Sequence, residues 1–528
     1  MEQYLASATT SIGKAVNLFQ NTDFYSKALE LYSRSSRNEL LLMGGATFFT
    51  FYNLVDYIKS RREKLNLPPR VGYAFPLLGH LPYIFYDSNR FLDWCSEKYG
   101  DIYDLNLGGS ITTIAAGRSA EEALKAPADE LSLEEGILKD VLFMHYVIDP
   151  TTFEIGFEAN PPVAKEVISP QKILTLTDRI IRGLNRGLDI LTEDQDTYLT
   201  KNPNLFLQRW VAYMSVGSLV GQEVETNPIV IKSFADFTSD VTNNVGIFLS
   251  TPKSLHKFII PFLQQVEWHR QVMRDHVLPV VRQRREKMRQ AEAAGVPHGL
   301  DSNFLQGLVE YKKPDGSSYT DEEVAQSVLL IAFASVHTTS MNLSFSLYWL
   351  LARPDLREEL EKEMQEVLGD GPITNEGLAQ MKFLDQFIRE VLRQGVDKMA
   401  NAKAVMKDVY TFANGYQVPK GRRVQSTNRQ LNFNGLNANR STVEEMDPRM
   451  SGNKTSTAPG RDFVTFGLGK HLCPGRFFAV HEIKMSLITL LRRFDVATAS
   501  GKLPTPNRYL GGMIAQTSDD PLVFTKKK

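Results

Sequence analysis

The sequence predicts a mainly α chain with a small β region. Three observations carry that prediction. One helical pattern holds without a break from Thr320 to Leu351. Helical patterning also dominates from about Asp189 to Ala294. Strand-like alternation is confined to short stretches, such as Ile102 to Leu107 and Ile111 to Ala116 across Gly108-Gly109.

The 528-residue chain carries a net charge of −1, so nothing marks nucleic acid as a partner. Its two cysteines, Cys95 and Cys473, exclude a disulfide framework and leave room for a metal-ligating thiol. At 42% hydrophobic residues, it can build a large core.

Residues 1–37 are polar and receive no function. Residues 38–58 read as a single-pass membrane anchor. Leu40 to Val55 carries no charge, and Lys59, Arg61, Arg62 and Lys64 follow at once. That basic flank would hold the next domain on the cytoplasmic side. The run falls short of the roughly 20 residues that span a bilayer. An amphipathic helix lying on the membrane or on the protein is the alternative reading of the same residues. Residues 59–70 form a basic and proline hinge, stiffened by Pro68-Pro69. Residues 71–528 form the remaining domain.

Within it, Asn89 to Tyr99 reads as a helix that packs Cys95 into the core beside Trp94. Breaks at Thr251-Pro252 and before Pro261 interrupt the helical section, where a lid over a buried pocket would be placed. Thr320-Asp321-Glu322-Glu323 is a capping box, and Arg353-Pro354 ends the helix it opens. At 1.5 Å per residue that helix is about 46 Å long and crosses a whole domain. Its middle holds Ala334, Ser335, His337, Thr338, Thr339 and Ser340. Hydroxyls there can bond back to a carbonyl one turn earlier. Arg353 to Leu368 is a charged helix. Glu390 and Arg393 share the face of a further helix and can pair. Val405 to Val418 reads as a hairpin turning at Asn414-Gly415. Pro419 to Gln425 and pieces of Leu503 to Phe524 read as strands.

One stretch, Phe463 to Arg476, concentrates the chemistry. It holds Cys473, Gly467, Gly469 and Gly475, with basic side chains on both sides and a helical run after it. Glycines let backbone N–H groups approach the sulfur, and a helix N-terminus favours thiolate. A buried free cysteine in a tight turn is the plainer alternative.

This stretch resembles the haem-binding signature of the cytochrome P-450 family, Phe-x-x-Gly-x-x-x-Cys-x-Gly. Phe466, Gly469, Cys473 and Gly475 fill its fixed positions. The middle of the long helix is similar to the family's oxygen-activation motif. Ala334, Thr338 and Thr339 match it, while Ser335 and His337 replace a glycine and an acid. Glu390 and Arg393 look like the family's buried Glu-x-x-Arg pair, with Arg449 as its third member. The Cys473 to Ala479 run and the His-Thr-Thr segment look like those of microsomal, fungal-type members.

The resemblance implies the cytochrome P-450 fold and a haem-thiolate catalytic domain over 71–528. It implies haem b with Cys473 as axial ligand of the iron, and Phe466, Gly469, His471 and Gly475 around the cofactor. His471 stands where an arginine usually meets a haem propionate; a second propionate contact is not assigned. Thr338 and His337 would handle protons. Ala334, Ser335, Val396, Met399, Met513 and Ile514 would line the substrate pocket. The reaction implied is hydroxylation of a lipophilic molecule, a steroid or terpenoid, with O2 and NADPH-derived electrons. Those electrons would come from an NADPH–cytochrome reductase, with cytochrome b5 as a further donor, at the endoplasmic reticulum membrane. Lys470 and Arg476 would help an acidic partner dock. Two other readings remain: a haem-thiolate isomerase or dehydratase that needs no reductase, and a non-enzymatic haem sensor.

Overall fold

The computed structural model describes residues 64–76, 78–148, 150–243, 255–259, 262, 264–395, 400–432, 446–504, 508–510, 514–516, 518 and 520–528, with Gly45, Thr47, Phe49, Thr50, Phe51, Asn53 and Leu54. The segment 1–37, most of the expected anchor and the breaks at Thr251-Pro252 and before Pro261 lie outside the described residues. The end of the proline hinge is docked on the body. Asp104 N–H donates to the Pro69 carbonyl at 2.9 Å, and Val71 N–H to the Asp104 carbonyl at 3.0 Å.

The principal helices and the strands are numbered here in chain order. Helix α1 (Leu81–Tyr99) precedes the hairpin β1 (Ile102–Leu107) and β2 (Ser110–Ala115), then α2 (Gly117–Lys125) and β3 (Leu131–Ser132). Next come α3 (Asn160–Val167), α4 (Thr177–Leu191), β4 (Thr197–Thr200), α5 (Pro203–Ser215), α6 (Pro228–Asn243), α7 (Gln264–Val272) and α8 (Leu278–Ala294). The long α9 (Asp321–Ala352) leads to α10 (Pro354–Val367) and α11 (Lys382–Gln394). Strands β5 (Ala400–Val405), β6 (Val409–Thr411), β7 (Gln417–Pro419) and β8 (Arg423–Ser426) precede α12 (Arg476–Arg493). The chain ends in β9 (Phe494–Thr498), β10 (Arg508–Leu510), β11 (Ile514–Gln516) and β12 (Leu522–Lys526).

The largest sheet runs β1-β2-β8-β5-β3; β2 and β8 are parallel and the other pairs antiparallel. The hairpin expected over Val405 to Val418 is shorter, β6 with β7, because Val405 ends a strand of the large sheet.

Helix α9 is the spine. Its capping box forms: the Glu323 N–H donates to the Thr320 hydroxyl at 3.2 Å, and the Thr320 N–H to the Glu323 carboxylate at 2.7 Å. It packs against α5, α6 and α12. Leu343 to Leu350 is buried throughout. A helix apolar on every side is stable only inside a protein. This is also the one described helix long and apolar enough to cross a membrane, and its apolar window is 56% buried in the body.

Beside it, Arg393 grips Glu390 through two hydrogen bonds of 2.7 and 2.6 Å and donates to the Asn432 carbonyl at 2.9 Å. Arg449 is not the third member. It lies on the surface and pairs with Glu359 and Asp447. The 3₁₀ turn at Pro448–Ser451 holds it outward. Arg389, which the sequence did not single out, is buried beside the pair. Its guanidinium donates to the carbonyls of Thr455 (2.6 Å) and Ala458 (2.8 Å) and covers the Phe463 ring at 3.9 Å.

Arg393→Ala leaves the buried Glu390 carboxylate without its cation. The expected loss is about 3–5 kcal/mol in urea unfolding. Arg449→Ala is expected to cost less than about 1 kcal/mol. Equal losses for the two would contradict the placement of Arg449.

Candidate haem site

The cysteine loop is shaped by two backbone requirements. Gly467 has φ +80°, and a Cβ there would stand 3.0 Å from the His471 carbonyl oxygen. The turn it permits lets the Cys473 N–H donate to the Phe466 carbonyl at 2.8 Å. Phe466 meets the buried Phe463 edge-on, with centroids 6.2 Å apart. Gly469 (φ +64°) lies over Lys125 of α2. After Cys473 the chain turns directly into α12.

The sulfur therefore faces a helix N-terminus. Burial pushes the Cys473 thiol up. The N–H groups of Gly475 and Arg476 and the Arg476 charge pull it down, without offsetting the burial. A thiol in such a place becomes thiolate when a metal cation supplies the missing positive charge. Arg476 donates to the Cys473 carbonyl at 2.9 Å and stacks on Phe477 at 4.2 Å, and its Nε is buried without a partner.

On α9, Ala334 and Thr338 are exposed one turn apart, although the helix crosses the core. The elements packed on α9 leave an opening over this face. The Thr338 hydroxyl donates to the Ala334 carbonyl at 2.8 Å, and Ser335 to the Ile331 carbonyl at 2.7 Å. Ser340 bonds to the His337 carbonyl at 3.1 Å, and Thr339 is buried. Burial holds the His337 imidazole below its ordinary value, and its Nδ1 is buried without a partner. Val396, Met399 and Met513 lie outside the described residues. Ile514 pairs with Leu510 in the β10–β11 ribbon.

The His471 ring sits 3.1 Å from the Ala126 carbonyl and is pulled down by burial and by the charge of Lys403. Lys403 was not singled out from sequence. A lysine in a short strand carries no motif, and only its inward register could have marked it. It is 2% exposed, and its ammonium donates to the carbonyls of Ala123 (2.8 Å) and Leu124 (3.1 Å) at the end of α2. Burial brings it down to about 8. Among the described residues no carboxylate pairs with Lys403 or His471. Both are turned to main-chain carbonyls, Lys403 also reaching Ala126 at 3.5 Å, and two basic groups gathered without an anion suit a cofactor that brings its own carboxylates. The soft sulfur ligand, the opening on α9 and this anion-free corner fit haem.

On the outer side of α12, a cleft of about 710 Å³ is lined by Lys382, Lys454, Phe477, His481 and Lys484. Lys484 is matched there by Asp385 at 2.6 Å.

A family profile described as Cytochrome P-450 matches residues 69–522. This chain belongs to the cytochrome P-450 family. It is 22% identical over 494 residues to cytochrome P-450 monooxygenase 151 of Postia placenta, covering 89% of this chain and 96% of that one. Monooxygenase ntnM of a Nectria species is 28% identical, over 67% of this chain and 70% of its own. Monooxygenase olcJ of Penicillium canescens is 28% identical, over 81% and 82%. A solved structure, retinoic acid bound cyanobacterial CYP120A1, shares the fold with a TM-score of 0.65 at 18% identity, covering 88% of this chain and all of that one. Membership of the P-450 family brings haem, O2 chemistry, a redox partner and a lipophilic substrate.

Lys403→Met removes the donor shared by the last carbonyls of α2. It is expected to lower stability by about 1–3 kcal/mol in urea unfolding. No loss would show that the lysine caps nothing.

Proposed function

We propose that this P-450 is a membrane-anchored monooxygenase of the endoplasmic reticulum that hydroxylates a steroid or terpenoid. Residues 38–58 would anchor it, 59–70 would lead from the membrane, and 71–528 would form the cytoplasmic haem-thiolate domain. The observation that carries the reading is the Cys473 sulfur, met by two backbone N–H groups at the start of α12.

Cys473 would hold the iron of haem b through its sulfur, with Phe466, Gly469 and Gly475 shaping the loop. Bound haem supplies O2 activation, and a thiolate ligand favours O–O cleavage. The chain supplies the rest. His471 and Lys403 would hold the haem carboxylates. Thr338 presents its hydroxyl oxygen to the opening, free to accept from water while its proton is given to Ala334. Ala334 and Ser335 leave room for an apolar substrate, with Val396, Met399, Met513 and Ile514 as further lining. His337 is half-buried and burial pulls its imidazole below the ordinary value; the neutral ring can give one N–H and accept at the other nitrogen.

Electrons would come from an NADPH–cytochrome reductase, with cytochrome b5 as an alternative donor. The cleft beside α12 supports this through Lys382, which presents positive charge near the helix that follows Cys473, whereas Lys454 is matched by Asp462 at 2.6 Å. Charge complementarity of that kind speeds encounter with an acidic partner.

Reduced protein treated with carbon monoxide should show the red-shifted thiolate band, and Cys473→Ala should abolish it. Hydroxylated product should form from a steroid and terpenoid panel only with reductase and NADPH. Rearrangement of a peroxide without reductase would instead favour an isomerase. Thr338→Ala should divert most of the NADPH electrons from product to hydrogen peroxide at an unchanged carbon monoxide band. Unchanged coupling would remove Thr338 from proton delivery.

A further inference from the structure

The face of α9 that carries Ala334 and Thr338 continues to Asn342. At about 100° per residue, the three positions fall within about 40° of one line along the helix. Ala334 and Thr338 are exposed and Asn342 is partly exposed, whereas Leu343 to Leu350 is buried. The opening beside Thr338 therefore reaches one turn further, to a carboxamide.

The hydrogen bonds fix what that carboxamide can do. Asn342 Nδ2 donates to the Thr338 main-chain carbonyl at 2.8 Å, while the Ser346 hydroxyl bonds the main-chain carbonyl of Asn342 and leaves its side chain untouched. One N–H of the amide is thereby engaged and its rotamer set. The second N–H and the Oδ1 are left for a ligand in the opening. Thr338 gives its proton to Ala334, so its hydroxyl oxygen is an acceptor toward the same space. His337 lies about 100° round the helix from Thr338.

We propose that Asn342 is a positioning residue for proton delivery, holding a water molecule against the Thr338 hydroxyl. This rests on the monooxygenase reading. The reaction takes a C–H bond, O2, two electrons and two protons, and returns C–OH and one water. When protons are misdirected, the same two electrons and two protons leave with O2 as hydrogen peroxide. A water bridged between the Asn342 amide and the Thr338 oxygen would direct them.

The test measures the share of NADPH electrons appearing as peroxide in Asn342→Leu, Asn342→Ala and Asn342→Asp, each with its carbon monoxide band intact. Leu and Ala are expected to raise that share roughly three- to tenfold, the effect of one lost hydrogen bond. Asp keeps the size but has no N–H to give the Thr338 carbonyl, so it should raise the share as Leu and Ala do. The visible spectrum of the ferric, substrate-free protein reports ordered water in the cavity. It should shift in Asn342→Leu and Asn342→Ala. Unchanged peroxide and an unchanged spectrum in Leu and Ala would overturn the proposal. Absence of the carbon monoxide band from the wild type would instead defeat the haem-thiolate reading on which it rests.

Discussion

A helix of 32 residues that is apolar on nearly every side has to be surrounded, and the rest of the domain surrounds it. Helices α5, α6 and α12 lie against it because no smaller assembly could cover about 48 Å of such surface. Polar groups inside that cover must find partners within reach. On α9 they find them on the helix itself: Ser335, Thr338, Ser340, Asn342 and Ser346 each donate to a carbonyl three or four residues back. The cavity-facing chemistry is thus set into the spine at little cost to packing.

The other concentration of buried polarity stands behind the cysteine loop. Asn432 is the joint: it accepts the Val464 N–H at 2.8 Å, receives Arg393 on its carbonyl and returns an amide bond to the Arg393 carbonyl at 3.1 Å. Arg389 ties the loop from Thr455 to Ala458 to the same helix. On α12, Glu482 is fully buried; Ser215 of α5 donates to it at 2.9 Å, and burial pushes its carboxyl far up. A neutral acid there links two helices without the desolvation cost of a charge.

How legible this was in the sequence depended on the range of each interaction. The capping box, the long helix and the β1–β2 hairpin are local, and residues within four or five positions specify them. The Glu390–Arg393 pair is local too, and it formed. Its expected third partner was a matter of tertiary path. Arg449 sits next to a proline in a turn that faces solvent, and nothing in the order of residues says which way such a turn looks. Arg389 and Lys403 escaped notice for the same reason. A basic residue in a helix or strand reads as surface until the fold buries it, and their partners are main-chain carbonyls, which have no sequence signature. In the cysteine loop, spacing and chemistry coincided: the glycine at 467 is demanded by a left-handed turn, and the one at 475 adjoins the sulfur.

The back-bonded side chains of α9 bear on how such a protein can change. Each of these hydroxyls and amides shares a carbonyl that already belongs to the helix ladder, so replacing it strands no distant partner. Positions facing the cavity can then be exchanged one at a time while the spine keeps its own bonds. A scaffold with that property can drift toward new ligands without first losing its shape. Relatives that match most of this chain while keeping only about a quarter of its residues are what such freedom would leave behind.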